Sequence, residues 1–257
     1  MRRLLILFLA ITIASSFYSE AKAQKTSQMD MEFHQELSKR EITLHQLWDE
    51  LLQKHVSENG NVNYKSLKKD HKKLLDYIYL LGLAHSKNFF QEFSKEEKLA
   101  FWINAYNALT VDLIIRNYPI KSIKDIKNPW KQRLWKPVNF DFSLDEIEHE
   151  ILRNMDEPRI HFAIVCASYS CPKLQNKAFT DNNLDEQLTN ATKEFLADET
   201  RNKISEKSIK ISKIFDWFKK DFTQDGSLID FLNKYTDVTI SPKAKKRYLE
   251  YNWALNE

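Results

Sequence analysis

Three glycines in 257 residues leave no material for a Gly-rich phosphate cradle, because such loops need a close backbone approach that only glycine permits. Cysteine is nearly as scarce, with two in the chain. Neither a C-x-x-C nor an H-x-x-x-H spacing occurs, so no metal site and no cofactor are expected. An excess of charge is missing too: the formal net charge is +3. The basic face that nucleic acid requires is therefore not expected. After the N-terminus no segment approaches about 20 consecutive apolar residues, so no further bilayer span is expected. No internal repeat and no linker rich in Pro, Gly or Ser divides the chain.

The N-terminus carries an address. Arg2 and Arg3 precede an apolar run from Leu4 to Ala14, and a polar stretch ends in Ala21-Lys22-Ala23. That order of charged, apolar and small residues reads as a secretory signal, with cleavage expected after Ala23; a retained N-terminal anchor is the alternative, disfavoured by the good A-x-A site. No cysteine follows the cleavage position, so no lipid anchor is expected. Residues 1–23 are read as the signal peptide, 24–40 as a flexible tether and 41–257 as one globular domain. The mature protein is expected outside the cytoplasm, periplasmic or extracellular, nearly neutral and monomeric.

Periodicity gives the elements. Leu44, Leu47, Trp48, Leu51, Leu52 and Val56 repeat at helical spacing, and Asn59-Gly60-Asn61 ends that helix. Leu67 to Leu83 returns to helix. Ser94 with Glu97, and Ser143 with Glu146, are capping boxes that open helices reaching about Asn117 and Asn154. Residues 136–140 suggest an edge strand, and Ile160–Ala167 suggests a buried one. A helix is predicted over 182–198, a hairpin at Lys203–Ile204 and Ser208–Ile211, short helices near 213–222 and 226–235, and a last strand near Arg247–Trp253. The fold class is α+β, mostly helical, with a small antiparallel or mixed sheet.

Polar residues on apolar faces mark candidate sites. Asn104 and Asn107 share a helix face with Ala100, Val111 and Ile114. Buried without partners, each would cost about 1–3 kcal/mol. They either satisfy neighbouring backbone or supply amide donors to a catalytic group or substrate. Asp112 and Arg116, one turn apart, read as a surface pair. Glu148 falls inside the apolar arc of its helix with His149 on the flank, and Asp145 lies one turn before His149. In a regular strand, His161 and Cys166 would point to opposite faces. Cys166 and Cys171 are close enough in sequence to form a disulfide, or Cys166 is a free thiol.

The segments AFWINAYNAL, SLDEIEHEILR, RIHFAIVCASYSCP, SKIFDWFKKDF and YNWALN, with Asn61–Tyr64 upstream, resemble the family known as domain of unknown function 547. The resemblance places Asn104, Asn107, Glu148, His149, His161, Cys166, Ser168, Cys171 and Pro172 at motif positions. It implies a papain-like or transglutaminase-like fold. Ala167 stands where the family usually has glycine, which puts a positive φ there in question.

Two functions follow from these residues. In one, Cys166 is the nucleophile of a papain-like thiol hydrolase or acyl transferase. His149 is its base, held by Glu148 or Asp145, and Asn104 or Asn107 serves an oxyanion. The expected substrate is a peptide, peptidoglycan or a small amide. In the other, an exported non-catalytic binding domain uses a Cys166–Cys171 disulfide to pin its loop.

Overall fold

The computed structural model describes residues 44–86, 88–136 and 140–257. The expected signal peptide and tether lie outside the described residues, as does the middle of the edge strand predicted over 136–140. Lys136 and Phe140, its described ends, belong to no strand.

Residues Leu44–Glu257 pack as one unit, mostly helical with a small mixed sheet. Helix α1 is Gln46–His55, α2 Tyr64–Leu67 and α3 His71–Ser86. Helix α4, Lys95–Asn117, opens on the full Ser94–Glu97 capping box. Every residue of α4 from Leu99 to Ile115 is buried, so this helix is the axis of the larger core. Helix α5, Leu144–Glu146, opens on the Ser143–Glu146 capping box and continues as a π turn, Ile147–Ile151, then a 3-10 turn, Leu152–Met155. Helix α6 is Leu184–Ala197, α7 Ile214–Trp217 and α8 Leu228–Asn233. Among the described residues no helix is long and apolar enough to cross a membrane.

The hairpin forms at the predicted positions, with β1 (Lys203–Ile204) antiparallel to β2 (Ser208–Ile211). The last strand, β3, is Lys245–Tyr248 and lies parallel to β2. It starts earlier than the sequence suggests. Residues beyond it leave the sheet and dock elsewhere, so Tyr251 and Trp253 are not strand residues.

Two expectations are corrected. Ile160–Ala167 is not a strand: Pro158–Phe162 is a 3-10 turn, with Pro158 at its start and Glu157 accepting from the Arg159 N–H. A short apolar run does not by itself distinguish strand from buried turn. Here the polar backbone finds a side chain, not a neighbouring strand. Asn107 donates through Nδ2 to the Ala163 carbonyl and accepts from the Val165 N–H, both at 2.9 Å.

Asp112 is likewise not on the surface. It is fully buried and accepts from Arg116 Nε at 2.6 Å and from the Trp135 indole at 2.7 Å. His71 Nε2 lies 2.6 Å from its other oxygen. The indole and imidazole arrive from distant segments and close over the polar side of α4.

A second apolar cluster surrounds Phe162, Phe195, Phe215, Phe222 and Phe231. Residues 160–171 run between the two cores: Ile160 and Cys171 belong to the larger, Phe162 to the smaller.

Candidate active site

The segment carrying the cysteines is held from three sides. From within, Asn107 fixes Ala163 and Val165. Asn104 does the same for the next chain segment, donating to the Phe179 carbonyl at 2.8 Å and accepting from the Phe179 N–H at 3.0 Å. Both amides are thus consumed by backbone. Neither faces an oxyanion, and both act as positioning groups.

From the C-terminal side, residues 252–256 dock on the cysteine loop. Tyr169 N–H donates to the Ala254 carbonyl, Ser170 N–H to Asn252, and Asn256 N–H to Ala167. Asn256 is held in turn by the Tyr64 hydroxyl at 2.7 Å. From the third side, Arg201 donates to the carbonyls of Cys171 and Tyr169 at 2.7 and 2.6 Å.

The loop turns at Ala167, whose φ is 59°. The left-handed conformation is therefore kept without glycine, at a cost of about 1–2 kcal/mol. Such strain persists where surrounding contacts over-determine the backbone, as the Asn256 bond and the burial of Ala167 do. Ala167→Gly is expected to raise stability by about 0.5–1 kcal/mol, the relieved strain less the added unfolded-chain entropy. Urea unfolding checks this, and a destabilised variant would contradict it.

That turn brings both cysteine sulfurs to 2.6 Å, with no S–S bond between them in this structure. Cys171 is buried and Cys166 half-buried. Cys171 Sγ accepts from the Cys166 N–H at 3.1 Å and lies 3.2 Å from both Ser168 Oγ and the Tyr251 hydroxyl. Ser168 also donates to Tyr251 at 3.0 Å. Burial opposes a charge on Cys171, but the bonds from Cys166, Ser168 and Tyr251 overcome it and lower its pKa to about 6. The hydrogen bond with Cys171, and then burial, push Cys166 well above the usual thiol range. The pair loses its first proton easily and holds the second.

The thiols border a cavity of about 540 Å³. Its walls include Trp130, Trp217, Phe218, Tyr251 and Trp253, and its polar lining includes Lys124, Asp145, Glu148, His149 and His161. The π turn carries Glu148 and His149 to this cavity; such insertions recur at functional sites.

The expected relay from Cys166 through His149 to Glu148 does not form as a hydrogen-bonded chain. The contacts of Cys166 Sγ go to Ser168, Cys171 and Tyr251. Exposed His149 meets Arg153 at 3.1 Å and Asp145 at 3.7 Å. Glu148 instead accepts from the Tyr106 hydroxyl at 3.0 Å. Tyr106, buried in α4, is pushed well above its ordinary range by burial, then by the charges of Glu148 and Cys166.

The histidine that the structure orients is His161. It is buried, its Nε2 lies 2.8 Å from Asp221 Oδ2, and its ring stacks on Phe218 at 4.0 Å. Arg153 grips both oxygens of Asp221, at 2.6 and 2.8 Å. Burial works against the Asp221 charge, yet Arg153 and then His161 hold its carboxyl far below the usual range. An ionised carboxylate only accepts, so Nε2 of His161 donates to Asp221 and Nδ1 is the nitrogen not engaged by it. With no strand, alternation no longer separates His161 from the cysteines, and all three line one cavity.

Asp221, Arg153, Tyr106 and Tyr251 were not singled out by sequence reasoning. Asp221 and Tyr251 lie in the SKIFDWFKKDF and YNWALN segments, whose density of aromatics beside polar residues was the available signal. Among the described residues no group of three or more His, Cys, Asp and Glu is arranged to hold a metal.

Residues 90–196 match the family model described as "Protein of unknown function, DUF547". The match takes in α4, the π turn and the cysteine loop, while Asp221, Tyr251 and Trp253 lie beyond it. No curated protein and no solved structure matches the chain.

Proposed function

Since residues 90–196 are a DUF547 domain, a family whose description names no activity, we propose from the cavity itself that the protein is a thiol-dependent acyl-transfer enzyme acting on amides. The observation that carries this reading is two cysteine sulfurs in contact at a cavity that also contains a buried, carboxylate-held histidine. The signal-like N-terminus supports an exported location, with a peptide, peptidoglycan or small amide as substrate.

Cys166, the more exposed sulfur, attacks the amide carbonyl as its proton passes to Cys171. An S–C bond forms and the C–N bond breaks. The amine leaves with a proton, for which His161 is the cavity's oriented donor. Water then cleaves the thioester: its hydroxyl goes to the acyl carbon and its proton to His161, Cys171 returns a proton to the Cys166 sulfur, and a carboxylic acid leaves. In this scheme Asp221 and Arg153 position the imidazole, and Tyr251 and Ser168 stabilise the thiolate.

The test uses p-nitrophenyl acetate under reducing conditions. We expect a burst of p-nitrophenolate and one acetyl group on the Cys166 peptide by mass spectrometry. Equal release from Cys166→Ser would overturn the proposal. Thiol labelling without reductant separates the other reading: no free thiol favours a binding domain whose loop is closed by a Cys166–Cys171 disulfide.

A further inference from the structure

The thiol chemistry uses the cysteines and His161, while the same cavity is also lined by large aromatic rings. Trp217 is 46% exposed. It stacks on Trp253 with centroids 5.8 Å apart and planes at 28°. Tyr251 leans on both rings, at 4.8 and 4.6 Å. Trp130 meets Trp253 edge-on at 5.9 Å. Three separate segments therefore deliver ring surface to one cavity, with Trp130, Tyr251 and Trp253 half-buried and Trp217 exposed. Exposed indole surface is unfavourable in water by about 25 cal/mol per Å². Such a wall within a concave site is the usual mark of a ligand surface.

We propose that this wall is a saccharide subsite and that the amide offered to the thiol pair belongs to an N-acylated amino sugar; the inference deepens the acyl-transfer reading and rests on it. The exposed indole of Trp217 offers a flat face that matches the C–H face of a pyranose ring. The hydroxyl edge of that ring needs acceptors and donors around it, and the same cavity supplies Asp145, Glu148 and His149. A quaternary ammonium is disfavoured because the Lys124 ammonium already lies 3.9 Å over Trp253 and would repel it. The requirement for both a stackable ring and an amide carbonyl selects an acylated amino sugar over a plain saccharide. Acyl transfer from it breaks the C–N bond, leaves the free amino sugar, and ends with water releasing the carboxylate from the cysteine.

Calorimetric titration with the trisaccharide of N-acetylglucosamine tests the subsite without chemistry, using Cys166→Ser. Saturable binding is expected in that variant, weakened tenfold or more in Trp217→Ala and partly restored in Trp217→Phe. Trp217 is a surface ring, so the variants should fold, and circular dichroism checks this. No binding, equal binding in Trp217→Ala, or saturable binding of adenosine monophosphate without the trisaccharide overturns the subsite. The two readings fail separately. Trisaccharide binding without acetylation of wild-type Cys166 removes the chemistry and keeps the subsite; acetylation without trisaccharide binding does the reverse.

Discussion

Cys171→Ser is expected to slow acetylation of Cys166 at neutral pH by about 10²–10⁴-fold, the usual contribution of a positioned proton acceptor. Cys166→Ser abolishes it. The contrast arises because the two sulfurs do different work: Cys166 is the more exposed, while Cys171 collects the donors. The wild-type rate should rise with pH through a midpoint near the Cys171 value of about 6. Below that value Cys171 is protonated and cannot take the proton from Cys166. Above it, the second proton stays on Cys166 until attack. In Cys171→Ser the midpoint moves to the ordinary thiol range of about 8.5 or higher, because Cys166 is then a half-buried thiol without its partner. Tyr251→Phe removes one donor and should raise the wild-type midpoint by about one unit. A midpoint unchanged in both variants would show that the thiol pair does not govern the reaction.

Asp112→Ala is expected to lower stability by about 3 kcal/mol, the lower end for breaking a buried charge pair. The variant deprives Arg116, the Trp135 indole and His71 of one shared acceptor. Trp135 is the costly partner because it is buried, whereas Arg116 is 36% exposed and can turn toward water. Loss of an exposed ion pair would cost well under 1 kcal/mol. Urea unfolding therefore distinguishes the buried hub from the surface pair suggested by helical spacing, and a loss below about 1 kcal/mol would contradict the hub.

Much of the candidate site was legible as composition but not as geometry. The segment containing His161, Cys166 and Cys171 was evident, and so were Glu148 and His149 on the helix before it. Which histidine was oriented was not. Alternation assumes a strand, and the two Asn107 bonds remove that premise. Sequence spacing pointed to His149, which is exposed beside Arg153, whereas His161 gains its carboxylate from Asp221, sixty positions away. Likewise, the Ala167 residue that casts doubt on a positive φ occupies one, because Asn256 fixes the loop from a distant segment.

The amino-acid order alone determined the capped helices at Ser94 and Ser143, the β1–β2 hairpin, the mostly helical class and the two residues capable of thiol chemistry. Caps, turns and apolar periods act within a few residues, so local sequence is enough to specify them. Only tertiary structure decided that Cys166 meets Cys171 beneath Tyr251, that Asp221 holds His161, and that Trp217 and Trp253 form one wall. Those contacts depend on which distant segments share an interior, and hydrogen bonds from Asn104, Asn107 and Asn256 to backbone far along the chain set that arrangement.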